Sequence, residues 1–331
     1  MKTSLHTPAE TRALVEAGRP LLLAGDERLL GSLPAGQWIA GTTPYFVAEG
    51  GGVSSRDQIL VTELPPSVEE VSITRYDPST ISRVFEETLG HAFAIMIVPA
   101  GSRTHLDFAL HAPSYPAFGI RPLAGWVSGV HLSDLGRVAP KVFDGRTVAP
   151  VEDGAVVVRA RLRKGLVADM GIVNIFDQAD GPTLEFENDG YSASRVIVDG
   201  QPRPFAAWLR EQGLDTALPL VADYLGTRVN VSFQSVDAAT GEVRFYAPVF
   251  AGVKYHPARP LADVAGEFLR RLPEESEDRV AFSCNCILNY AKLEGRSTGV
   301  FLGPVTFGEI AFQLLNQTLV YLTIQKSAVA G

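Results

Sequence analysis

Two stretches at opposite ends of this chain run through the same order of elements, and that internal repeat constrains the fold more than any single motif. Near the N-terminus a helical segment over residues 8–17, closed by Gly18, leads into Leu21-Leu22-Leu23-Ala24. A looped stretch comes next, then the apolar strand Trp38-Ile39-Ala40-Gly41, the turn Thr42-Thr43-Pro44-Tyr45 and the strand Ile59-Leu60-Val61-Thr62. Near the C-terminus a helix leads into Val280-Ala281-Phe282-Ser283, another loop, Phe301-Leu302-Gly303, a turn around Thr306 and the strand Leu319-Val320-Tyr321-Leu322. A unit with so few strands cannot cover its own apolar faces. The two ends are therefore expected to pack as pseudo-equivalent partners, with residues 38–41 and 301–303 in corresponding strands.

Between them the pattern is strand-rich. Residues 91–98 read as a short buried strand, and several strands come after it over residues 125–164, with Asp144-Gly145 and Asp153-Gly154 as hairpin signals. Asp77-Pro78 is placed to open a helix reaching Leu89, and further helices are expected over residues 204–211 and 261–272. Residues 49–55, with Gly50-Gly51-Gly52, read as a loop rather than an anion cradle. Strands joined by tight turns mean an α+β fold of mainly antiparallel sheet with flanking helices, in two pseudo-equivalent halves at residues 1–178 and 179–331.

Charge and motif content narrow the function. The 331 residues carry 29 Lys+Arg against 37 Asp+Glu, a formal charge of −8. That disfavours a nucleic-acid partner, which needs a basic surface to displace counterions. No apolar run is long enough to span a membrane, and Glu10, Arg12, Glu16 and Arg19 stand where a signal peptide would be apolar, so a cytoplasmic location is expected. Phosphate-loop, dinucleotide-turn, zinc-protease and nucleophile-elbow patterns are all missing from the sequence. The six histidines, His6, His91, His105, His111, His131 and His256, have no ligand-like spacing, so no metal site is expected. No resident cofactor is expected either; axial ligation of haem, which needs a single histidine, is the alternative. Cys284 and Cys286 are expected to be free thiols, at least one of them buried.

Phe282-Ser283-Cys284, followed about twenty residues on by Gly303 and then Phe307-Gly308-Glu309-Ile310, resembles the C-terminal signature of the FIST family of bacterial sensory proteins. Lys141-Val142-Phe143-Asp144-Gly145-Arg146 is similar to the central part of its N-terminal domain, and Arg195-Val196-Ile197-Val198-Asp199-Gly200-Gln201-Pro202 to the segment where the family moves into its second half. Two departures stand out: Gly41-Thr42-Thr43-Pro44-Tyr45-Phe46 lacks the family's Gly-Glu pair, and Asn285-Cys286 replaces a small Gly-Arg turn. The resemblance implies a stand-alone sensor that binds a small organic ligand without chemistry of its own and signals to a protein partner; some family members bind haem and respond to nitric oxide.

Polar groups just beyond buried strands are the expected ligand contacts. These are Cys284, Asn285, Thr306 and Glu309 in the C-terminal copy, and Thr42, Thr43 and Tyr45 in the N-terminal copy. Glu309, beside Gly308, is the expected specificity element, unless it caps a helix beginning near Phe307. The competing readings are an enzyme using Cys284 or Cys286 as nucleophile, and an interaction protein whose ligand site has decayed.

Overall fold

The structure is a computed structural model that describes residues 2–224 and 227–327. After β1 (Lys2–His6), Thr7 opens α1 (Pro8–Glu16): its hydroxyl accepts from Glu10 N while the Glu10 carboxylate accepts from Thr7 N, and Gly18 at φ +72° ends the turn. Next come β2 (Leu21–Gly25), α2 (Glu27–Leu30) and β3 (Trp38–Thr42). The hairpin β4 (Tyr45–Ala48) and β5 (Gly51–Ser54) is next, then β6 (Ile59–Glu63). β2 and β3 run parallel through the crossover that contains α2, and β6 lies antiparallel between β1 and β2.

The same sequence of elements then recurs. β7 (Val68–Tyr76), β8 (Phe93–Pro99), α3 (Arg103–His111), β9 (Leu123–Ser128), the pair β10 (Val142–Asp144) and β11 (Pro150–Val151), and β12 (Ala155–Leu162) make a second repeat. Here the helix expected after Asp77 is replaced by two short 3-10 turns, Ile81–Arg83 and Glu86–Thr88. The Asp77 carboxylate accepts from Ser79 N and from the hydroxyls of Ser79 and Thr80, a local turn that competes with helical bonding.

A third repeat begins at β13 (Leu166–Val173) and is interrupted by a separate compact unit. That unit holds β14 (Leu184–Glu185), β15 (Gly190–Ala193), β16 (Arg195–Val198), β17 (Gln201–Pro204), α4 (Phe205–Gln212) and β18 (Leu220–Tyr224). It continues with β19 (Thr227–Val231), β20 (Phe233–Val236), β21 (Val243–Val249), β22 (Tyr255–Pro257) and α5 (Val264–Arg271). Its core is aromatic, with the Phe186 ring packed edge-on against Phe205, Phe245 and Tyr255 at 5.5–5.8 Å. The third repeat resumes with β23 (Val280–Cys286), α6 (Ile287–Leu293), β24 (Gly303–Thr306), β25 (Glu309–Ala311), β26 (Gln313–Leu315) and β27 (Leu319–Lys326).

Three sheets of one design result: β1-β6-β2-β3-β10-β11, β7-β12-β8-β9-β25-β26 and β13-β27-β23-β24-β4-β5. In each, the short hairpin at one edge comes from a different repeat. The second repeat completes the sheet of the first, the third that of the second, and the first that of the third. This head-to-tail exchange closes on itself after three steps and covers an edge of every repeat.

The α+β class, with mainly antiparallel sheets, therefore holds, and the repeat is threefold where the sequence pattern shows two copies. Residues 38–41 lie in β3, but of 301–303 only Gly303 is in a strand, the first residue of β24; β3 and β24 sit in separate sheets with equivalent neighbours, and the register differs from the glycine match. Thr42 corresponds to Thr306, which sets Gly303 against Ile39 and Val305 against Gly41.

The division into domains also differs from a cut at residue 178. The first compact unit comprises the residues up to 173, 272–314 and those from 319 on; the second comprises 174–271 and 315–318. An insertion within a repeat, rather than a junction between halves, produces that pattern. Among the described residues no helix is long and apolar enough to cross a membrane.

Candidate functional site

Parallel strands leave a crevice beyond their carboxyl ends, and the three repeats offer three such places. The register fixes their correspondence: Gly25 pairs with Thr42, Pro99 with Ser128, and Cys286 with Thr306. The connections that leave β3, β9 and β24 differ in length. Two residues, 43–44 and 307–308, lead into the hairpin in the first and third repeats, whereas thirteen, 129–141, do so in the second.

That long connection walls a cavity of about 570 Å³ over the ends of β2 and β3. Thr42, Thr43, Asp26 just before α2 and the α2 residues Glu27 and Arg28 line one side, and Arg56 reaches in from the β5–β6 connection. His131, Asp134, Val130 and Val138 line it from the long connection, and Phe143 and Val148 add apolar surface.

Several contacts hold the wall in place. Gly129 N donates to Thr42 O at 2.8 Å, and Lys141 N donates to the Thr42 hydroxyl at 2.9 Å. Tyr45 stacks on His131 with ring centroids 5.4 Å apart, and its hydroxyl accepts from Leu132 N at 3.1 Å. Arg56 pairs with Asp134 at 2.6 Å. Partial desolvation works against the Asp134 charge, but the Arg56 hydrogen bond and charge, aided by Arg137 and His131, hold its carboxyl below the usual range. Lys141 binds Glu27 at 2.7 Å; desolvation again opposes the charge and the carboxylate outweighs it, so the ammonium titrates above its ordinary value.

The seven residues singled out in the sequence thus part into two groups. Thr42 and Thr43 line the cavity, although both hydroxyls are engaged: Thr43 donates to Val305 O at 2.8 Å and accepts from Tyr45 N. Tyr45 is buried and braces the wall rather than lining the cavity.

Cys284, Asn285, Thr306 and Glu309 form a second cluster, each almost wholly buried. Thr306 donates to Glu309 Oε1 at 3.0 Å, and Asn289 donates to Asn285 Oδ1 at 3.1 Å. Among the described residues no hydrogen-bond partner is present for Asn285 Nδ2 or Asn289 Oδ1. Glu309 lies on a strand, β25; no helix begins near Phe307, so the cap role is excluded by the backbone.

Both cysteines are buried, and neither is part of a disulfide. Cys284 Sγ donates to Gly125 O at 3.3 Å. Desolvation, with the neighbouring Glu309 and Cys286, raises its thiol well above the ordinary value, the opposite of what a nucleophile needs. Gly50-Gly51-Gly52 is no cradle: Gly51 and Gly52 belong to β5, and a Cβ on Gly51 would stand 2.1 Å from Gly295 O.

Arg28, Arg56, His131 and Asp134 were not singled out from the sequence. The signal available for three of the four was topological: Arg56 comes after a hairpin, and His131 and Asp134 fall in a long connection where the equivalent turns have two residues. Among the described residues no group of three or more His, Cys, Asp or Glu is gathered to hold a metal ion.

A family model described as a family of unknown function, DUF6976, matches residues 6–325, and the chain belongs to that family. No curated protein matches the sequence.

Proposed function

We propose that this protein binds a small organic molecule in the cleft beyond β2 and β3, and that binding rather than chemistry on a cysteine is its task. The carrying observation is the cleft itself: one repeat of three has an extended connection, and that connection builds a cavity of about 570 Å³, within the ordinary size range for small-ligand sites. Its lining mixes apolar walls with charged groups from α2, the β5–β6 connection and the 129–141 segment, which is how orientation and specificity are imposed on a small ligand. The raised Cys284 thiol weighs against a nucleophile. The likeness in sequence to sensory proteins points the same way, with a signalling partner as the recipient of the binding event.

The experiment is a thermal-shift panel of neutral, cationic and anionic metabolites on the full chain. It is repeated on a variant in which residues 130–139 are replaced by two glycines, cutting the connection from thirteen residues to five and removing His131 and Asp134 from the wall. A ligand that stabilises the wild type and not the shortened variant is the expected result. No shift in the wild type, or an equal shift in both, defeats the reading.

A further inference from the structure

We infer that the occupant of this cleft is a small organic anion held by Arg28 and Arg56, an inference that rests on the cleft being a ligand site. The charged groups of the lining differ in how fully they are already paired. Glu27 takes Lys141 at 2.7 Å. Asp134 takes Arg56 at 2.6 Å and Arg137 at 3.1 Å. Asp26 turns one oxygen back to its own chain, accepting from Arg28 N at 3.0 Å.

The arginines are less committed. Arg28 Nη2 stands 3.5 Å from an Asp57 carboxylate that is 88% exposed, a pairing worth little in water. Arg56 gives Asp134 one of the five N–H donors that a guanidinium carries. The unused capacity in the lining is therefore for acceptors. A carboxylate or phosphoryl group matches it, because planar oxyanions take paired N–H donors. On a chain of formal charge −8, two guanidinium groups with spare N–H donors face this one cavity while its carboxylates are already paired or turned to the backbone, and that gives an anion a place to bind.

Asp134 then competes with the ligand for Arg56. An anion entering the cleft shares or displaces that ion pair, and the connection that carries Asp134 registers the exchange.

The test is calorimetric titration of the full chain with succinate, inorganic phosphate and putrescine at one ionic strength. Binding of succinate or phosphate without putrescine is expected, and which of the two binds separates a carboxylate from a phosphoryl ligand. Arg28→Gln and Arg56→Gln should each weaken binding by about tenfold or more. Arg83→Gln, which breaks an exposed ion pair with Glu87 outside the lining, should leave it within about twofold.

Asp134→Asn should tighten binding by freeing Arg56, an effect of opposite sign that no loss of folding can imitate. Failure of both anions to bind, or unchanged anion affinity in both arginine variants, overturns the inference. If the wider metabolite panel still finds a neutral or cationic ligand in the cleft, the binding reading survives and only the anion is wrong.

Discussion

The first and third repeats place different chemistry on the same frame. At equivalent positions of the inner strand, Leu23 and Ala24 in the first repeat answer to Cys284 and Asn285 in the third. Leu23 and Cys284 even face valines at matching places, Val61 and Val320. At the hairpin strand, Phe46 of the first repeat and Phe143 of the second correspond to Glu309 of the third, and all three are fully buried. The second repeat sides with the first, carrying Ile97 and Val98 where the third has its polar pair.

Two copies of the frame thus show that apolar residues fill these positions, and the third shows a carboxylate there. Burying a charge costs free energy that packing alone would not demand. The connections differ in the complementary way. The third repeat is polar inside with a two-residue turn, whereas the cleft stands over the first repeat because the second lends it a long wall.

Moving the carboxylate to the wrong repeat is the severest way to break this comparison. Phe143→Glu places an unpaired charge at a position where Glu309 has Thr306 as a partner, and should cost about 4 kcal/mol. Urea unfolding would read it, and a variant within about 1 kcal/mol of wild type would show that the positions are not equivalent in environment.

The second repeat has its own buried titratable group, His105 on α3, whose Nδ1 accepts from Gly101 N at 3.2 Å. Desolvation lowers its pKa to about 4 from an unfolded value near 6.5. The unfolded chain therefore binds the extra proton first as pH falls. Stability should decline from pH 6.5 down to about 4, by up to about 3 kcal/mol in total. His105→Gln should flatten the urea midpoint across that window; an unchanged slope would place the acid sensitivity elsewhere.

The smallest effect is expected for Glu309→Gln. The amide keeps an acceptor for the Thr306 hydroxyl, so the change should cost no more than about 1 kcal/mol. Ligand affinity in the cleft should not change, since Glu309 does not line it. A loss of binding in a stable Glu309→Gln protein would mean that the two clusters work as one site.

Much of the local structure was legible in the chain. Leu14 and Val15 among good helix formers, with Gly18 beyond them, announced α1, and the apolar runs at residues 21–24, 38–41, 280–283 and 319–322 announced paired strands, because helix stops and short-range hydrophobic pattern act within a few residues. The middle copy was harder to see. Phe93–Pro99 and Leu123–Ser128 stand in the same relation as the terminal pairs, but turns of 3-10 helix replace the leading helix, and the extended connection shifts everything downstream. The third copy is split by about a hundred residues of another unit, which no periodicity survives.

For the site, residue pattern was enough to show that polar side chains crowd the ends of buried strands, and it picked out Thr42, Thr43 and Glu309 among them. Which of these face a cavity and which are sealed depended on packing between repeats. Alternation places a residue on one face of its strand and cannot say what another repeat lays against that face. The exchange of hairpins among three repeats sealed Glu309 and left Thr42 and Thr43 at an open cleft, because contacts between repeats join residues more than eighty positions apart and leave no mark on local pattern.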